Sequence, residues 1–206
     1  SLGSASVVDP LDSISSVTDL VSGSNQFVWF ASNGVCLSSD TVDVIIYDRD
    51  TAHAGTDQVL CSSTGTANLS ATAALFGTGL WTTSSSATIV SPASPNSSVT
   101  GLNTAGTYQF VWTVSNGSCI SRDTVIITVN AVTAANAGSD LQICETTTSL
   151  NLAGNTAVFG TGTWTTTGSA TIASVNNPST SVSNLSLGTN IFIWTIVNGP
   201  CSSTDT

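Results

Sequence analysis

The feature that most restricts this 206-residue chain is that it repeats itself. Phe27-Val28-Trp29-Phe30-Ala31-Ser32-Asn33-Gly34-Val35-Cys36 returns as Phe110-Val111-Trp112-Thr113-Val114-Ser115-Asn116-Gly117-Ser118-Cys119 and again as Phe192-Ile193-Trp194-Thr195-Ile196-Val197-Asn198-Gly199-Pro200-Cys201, at spacings of 83 and 82. Ala54-Gly55-Thr56-Asp57, followed by Cys61, returns as Ala137-Gly138-Ser139-Asp140, followed by Cys144. Phe76-Gly77-Thr78-Gly79-Leu80-Trp81 matches Phe159-Gly160-Thr161-Gly162-Thr163-Trp164. Independent landmarks sharing one period mean a row of like structural units.

Each unit reads as short strands. Tyr108, Phe110, Trp112 and Val114 alternate with Gln109, Val111 and Thr113, the period of two expected of a half-buried strand. Asn116-Gly117 then predicts a type I′ hairpin, whose two central residues both need positive φ. Val125-Ile126-Ile127-Thr128-Val129 is the returning strand. Its unbroken β-branched character predicts burial on both faces, or an edge covered by the next unit. Trp81-Thr82-Thr83, Ala87-Thr88-Ile89-Val90 and Ser98-Val99-Thr100 are further strands, separated by Gly, Pro and Asn. No helical period of useful length appears. The Gly-x-Gly before Trp81 has no helix after it, so it reads as a tight bend at a strand start and not as a nucleotide loop. Six or seven strands in each unit predict an all-β chain of β-sandwiches. Trp29, Trp81, Trp112, Trp164 and Trp194 fall on apolar strand faces and are expected in the cores, with a sugar-stacking platform as the alternative.

The repeats are out of phase with the chain. Residues 1–50 read as the C-terminal part of one repeat, 51–132 as a complete repeat, and 133–206 as a repeat lacking its last strand. The expectation is a window on a longer tandem array, because a lone unit without an edge strand exposes backbone and core. Strand donation between neighbouring molecules is the rival reading.

Composition excludes several functions. The basic residues are Arg49 and Arg122 alone, against twelve acids, for a net charge of −10. Nucleic-acid binding by phosphate neutralisation is not expected, and no basic patch serves anionic lipid. Without lysine there is no Schiff base and no P-loop lysine. No apolar run of about 18 residues exists, so no membrane insertion is expected. Ser and Thr make up roughly a third of the chain, well above ordinary usage.

Ala-Gly-x-Asp-x-x-x-Cys, Gly-x-Gly-x-Trp, Phe-x-Trp-x-x-x-Asn-Gly-x-Cys and Asp-Thr-Val-x-Ile together resemble the PKD-like, immunoglobulin-like repeats of very large cell-surface proteins of Bacteroidota. The gliding-motility adhesins exported by type IX secretion are the best-known group. The resemblance covers nearly the whole chain and implies an extracellular setting. The tyrosine corner of many such sandwiches fits Tyr108, but the aligned residues are Asn25 and Asn190, so the device is not expected throughout the array.

Five cysteines in a lysine-free chain rich in small residues also suggest an oxidising compartment. Pairing within each repeat gives Cys61–Cys119 and Cys144–Cys201, with the partner of Cys36 outside this sequence. In an ordinary sandwich, however, those partners sit at opposite poles, beyond the roughly 7 Å that a disulfide spans between Cα atoms. Head-to-tail stacking instead brings Cys61 to Cys201, as a staple between repeats. In-repeat pairing, the staple and free thiols all remain open.

Catalytic chemistry is not expected. His53 stands alone in the linker, with nothing to build a Ser-His-Asp site around it. Glu145 is the only glutamate, and no carboxylate pair stands out. No cofactor is expected. Asp48, Asp50 and Asp57 at the first junction are the one candidate for calcium, and the second junction lacks equivalents. Ser13, Thr41, Thr51 and Thr124 follow aspartate and precede an apolar or small residue, resembling O-glycosylation sites in Bacteroidota. Thr41 and Thr124 also fit as strand openings. The resulting expectation is a structural or adhesive repeat segment whose partners are neighbouring repeats of its own chain. Surface polysaccharide is a further candidate partner, bound through an exposed aromatic such as Phe30 or Tyr47. The alternatives are a carbohydrate-binding module or an accessory segment of a secreted enzyme.

Overall fold

The computed structural model describes residues 5–206, and no helix occurs among them. The chain runs β1 (Ser6–Val7), β2 (Val17–Thr18), β3 (Gly23–Asn33), β4 (Cys36–Ile46), β5 (Gln58–Cys61), β6 (Gly65–Ser70), β7 (Thr78–Thr83), β8 (Thr88–Ile89), β9 (Asn96–Leu102), β10 (Gly106–Asn116) and β11 (Cys119–Asn130). It continues with β12 (Ser149–Asn151), β13 (Thr161–Thr166), β14 (Thr171–Ile172), β15 (Ser181–Ser183), β16 (Phe192–Asn198) and β17 (Cys201–Asp205).

The middle repeat is a sandwich of two sheets, β5-β11-β10-β7 facing β6-β9-β8. Its core is the inward half of each alternating strand. Phe110, Trp112 and Val114 come from β10, Val125, Ile127 and Val129 from β11, and Leu69, Val99 and Leu102 from the facing sheet. The last repeat reproduces the layout with β13-β16-β17 against β12-β15-β14. The first shows the hairpin β3-β4 and the small pair β1-β2.

Matched sequence produces matched register. Trp112 lies opposite Trp81, and Trp194 opposite Trp164. The indole pairs have centroids 5.1 and 5.0 Å apart and are tilted by 47° and 41°, within the range favourable for aromatic pairs. Each indole N–H donates to a backbone carbonyl: Trp81 to Pro95, Trp112 to Thr72, Trp164 to Pro178 and Trp194 to Asn155. The second glycine of each Gly-x-Gly lies flat on an indole. A Cβ at Gly79 would stand 2.1 Å from the Trp112 ring, and one at Gly162 would stand 2.1 Å from Trp194.

Four sequence expectations are corrected. Trp29 is not a core residue: it is 44% exposed, against 1% for Trp112 and Trp194. Among the described residues no tryptophan stands across from it as Trp81 does from Trp112, and β1 and β2, at the repeat positions of β8 and β9 in the opposite sheet, are only two residues each. The hairpins do not turn on Asn-Gly. Asn116 pairs with Cys119, so Gly117 and Ser118 are the central residues. Only the glycine has positive φ (56°), which is the φ pattern of a type II′ turn. Gly34 and Gly199 behave alike, and Pro200 fits the second central position, where φ is negative. β11 is not buried on both faces, because Ile126 is exposed while Val125, Ile127 and Val129 are buried. Its edge is covered by β5 of its own repeat, running parallel to it.

The fourth correction concerns the corner. Tyr108 donates its hydroxyl to the Thr104 carbonyl, four residues back. Asn25 and Asn190 perform the same closure by another route. Their side-chain amides donate to the carbonyls of Val21 and Ser186, also four residues back, and accept from the same residues' N–H groups. The device is therefore present in all three repeats, with asparagine replacing tyrosine in two.

Candidate functional site at the repeat junctions

Binding and catalytic candidates do not converge. His53 is exposed in the linker. Asp48 accepts from the Ser22 hydroxyl, Asp50 from the N–H groups of Leu75 and Phe76, and Asp57 from that of Ile126. The three acids of the calcium candidate are thus engaged separately in local structure, and no group of three metal-ligating side chains occurs among the described residues. Phe30 is exposed on β3, and Tyr47 packs against the next repeat. Ser13, Thr41 and Thr51 are exposed, whereas Thr124 is half-buried in β11.

The residues that do converge sit where repeats meet. Two junctions are built from the same contacts at equivalent positions. At the first, Asn116 donates its side-chain amide to the Asp48 carbonyl at 3.1 Å. At the second, Asn198 donates to the Ala131 carbonyl at 2.7 Å. The hairpin glycine lets this contact close. A Cβ at Gly117 would stand 2.3 Å from the Tyr47 ring, and one at Gly199 would stand 2.5 Å from Asn130 Nδ2. Tyr47 and Asn130 occupy the same repeat position, as do Asp48 and Ala131.

The linker is then sewn to the following repeat. Ala52 N–H donates to Ser121 and Ala54 N–H to Asp123. Their equivalents are Ala135 to Ser203 and Ala137 to Asp205. Asp50 accepts from Leu75 and Phe76, and Thr133 accepts from Val158 and Phe159 in the same place. Hydrogen bonds from Phe76 and Leu75 hold Asp50 below the usual carboxylate value. Those from Ala54 and Thr124 do the same for Asp123, because each donor stabilises only the charged form. The aspartate of the Asp-Thr strand opening is therefore a linker clamp.

Across the second junction the link is covalent. Cys61 on β5 and Cys201 on the β16–β17 hairpin form a disulfide with Cα atoms 5.4 Å apart. In-repeat pairing is overturned: Cys119 and Cys144, like Cys36, are free thiols. The reason is polar separation, since the hairpin of each repeat points back at the repeat before it. Cys119 occupies at the first junction the place Cys201 holds at the second. Its Sγ lies 3.8 Å from the Tyr47 carbonyl, and that of Cys201 lies 3.5 Å from the Asn130 carbonyl. The asparagine–linker clamp and the linker-sewing bonds escaped the sequence reading. The signal was available, because Asn-Gly recurs in all three units one residue too early to be the turn.

No family model matches the sequence, and no curated protein matches it. Solved structures do. Extracellular domains 3–5 of Drosophila OTK align at TM-score 0.57 and 11% identity, covering 92% of this chain and 72% of that one. Titin domains A168–A170 align at TM-score 0.42 and 15% identity, covering 87% and 71%. The likeness to the OTK tandem shows the fold, and with the sheet order above it establishes what the periodicity predicted: an all-β tandem of immunoglobulin-like sandwich repeats of about 83 residues.

Proposed function

We propose that this chain is a structural and adhesive repeat segment of a long extracellular surface protein, acting as a stalk or filament body in cell-surface attachment or gliding. The observation that carries the reading is the covalent junction, Cys61 to Cys201. Alongside it, two junctions share one set of hydrogen bonds. Units that meet in one way each time add length along one direction. A disulfide across their boundary resists the separation that tension would cause, and it suits an oxidising exterior. Tandem immunoglobulin-like modules suit a structural or adhesive role. Net charge of −10 opposes lateral association of repeating sheet edges. The core indoles of Trp81 and Trp112 are hydrogen-bonded to backbone carbonyls, which suits packing inside a structural module. Neighbouring repeats are the first partners and surface polysaccharide the second. Ser13, Thr41, Thr51 and Thr124 are proposed as sites of O-linked sugar.

Immunolabelling of intact, unpermeabilised cells that express the parent polypeptide tests the location. Label on the cell surface supports the reading, and label only after permeabilisation overturns it. Soluble chain added to an attachment assay separates adhesive from passive segments: competition is expected of an adhesive one. Binding to a glycan array without competition would favour the carbohydrate-binding alternative.

A further inference from the structure

Cys61 is the last residue of β5 and Cys201 the first residue of β17. The bond between them closes a loop 140 positions long. That loop holds nearly everything that gives the two sandwiches their cores. Trp81, Trp112, Trp164 and Trp194 lie inside it, with Phe110, Ile127 and Ile196.

Outside the loop the route along the chain is short and already straight. It enters through residues 52–57 and β5, crosses the sulfurs, and leaves along β17. β5 pairs only through Gln58–Cys61, against the end of β11. β17 pairs only through Cys201–Asp205, against β16. A strand is already near the full reach of a chain, about 3.3 Å per residue. Stripping either one from its neighbour therefore releases almost no length.

We propose that the Cys61–Cys201 disulfide is a tension bypass. A pull that arrives through β5 passes to β17 across the sulfurs, and the middle and last sandwiches stand outside the loaded path. The hydrogen bonds from Ala52 to Ser121 and from Ala54 to Asp123 then position the middle sandwich on that path, and those from Ala135 to Ser203 and from Ala137 to Asp205 position the last. Without the disulfide the same pull runs through the whole loop. It strips β5, exposes the edge of the middle core where Leu60 packs, and unfolds both sandwiches at a rate set by their own unfolding barriers. The loop begins and ends 5.4 Å apart between Cα atoms, so on unfolding it adds nearly its full extended length, about 460–500 Å.

The first junction has no such bond. Cys119, in the place of Cys201, is a free thiol, and the Asn116 contact with Asp48 closes that junction by hydrogen bonding. Extension under load is therefore confined to the residues before Cys61. The bypass deepens the stalk reading and rests on it for the source of the tension. Its test is on the isolated chain, so failure there leaves surface labelling untouched, and failure of surface labelling leaves the bypass standing.

The test is single-molecule stretching of the full chain, held at its two ends, at forces that leave covalent bonds intact. The unreduced chain should stop at about 220–240 Å, the extended reach of residues 1–61 and 201–206. Adding dithiothreitol, a dithiol, to the same molecule should release the loop. One thiolate attacks a protein sulfur, the second displaces the mixed disulfide as a cyclic disulfide, and Cys61 and Cys201 are left as thiols. The limit should then rise about threefold, to about 680–740 Å for the whole chain. Cys61→Ser should reach the longer limit without reductant, and Cys119→Ser should keep the shorter one. The proposal is overturned if the unreduced chain extends past the shorter limit, if the dithiol leaves that limit unchanged, or if Cys119→Ser abolishes it.

Discussion

Cys61 and Cys201 stand 140 positions apart in sequence and 5.4 Å apart between Cα atoms. One lies on the first strand of the middle repeat and the other on a hairpin of the last, so the bond ties two sandwiches that each have their own core. Intact chain should show three alkylatable thiols, Cys36, Cys119 and Cys144, and five after reduction. Peptide mapping under non-reducing conditions reads this directly, and a Cys61–Cys119 peptide would contradict it.

Losing the staple should weaken the molecule without changing its fold. Cys61→Ser is expected to cost about 2–5 kcal/mol in denaturant unfolding, the range for native disulfides that close long loops. The Asn116 clamp gives an independent measure of junction strength. Asn116→Ala should cost about 1 kcal/mol, the net value of one such hydrogen bond, and should leave the Cys61–Cys201 bond in place.

The tryptophans should divide by position. Trp112→Ala removes a fully buried indole that is stacked and hydrogen-bonded, and should cost about 3–5 kcal/mol. Trp29→Ala, at the same repeat position but 44% exposed, should cost far less. Paired denaturation curves check the contrast, and equal losses would show that the first repeat has a closed core.

The corner should be interchangeable. Tyr108→Phe keeps the ring and loses the bond to Thr104, for a cost of about 1 kcal/mol. Asn25→Ala removes both halves of a buried two-way contact with Val21. It should cost more than Tyr108→Phe, because a backbone donor and acceptor lose their partner together.

Acid should loosen the linkers first. Asp50 and Asp123 are held below the ordinary carboxylate value of 3.8. A depressed native pKa contributes stability that is present above the unfolded value and is lost as pH falls through the native one. Stability is therefore expected to hold above pH 3.8 and to decline below it. Asp123→Asn keeps an acceptor for Ala54 but no longer titrates, so its unfolding free energy should fall less between pH 4 and pH 2.

Much of this was legible along the chain. The period, the strands around Trp81, Trp112 and Trp194, and the aspartates at strand openings follow from residue type and spacing, because alternation and turn chemistry act within a few residues. Tertiary structure decided the rest. Which cysteine met Cys61 depended on which pole each hairpin faces, a matter of how whole sandwiches stack. Asn25 and Asn190 closed the corner that Tyr108 closes, because an amide and a phenol can both reach a carbonyl four residues away, and sequence comparison sees only that the residues differ. Trp29 had the sequence of a core residue but had no second indole across from it. Burial belongs to the partner as much as to the residue, and that partner is outside anything local sequence encodes.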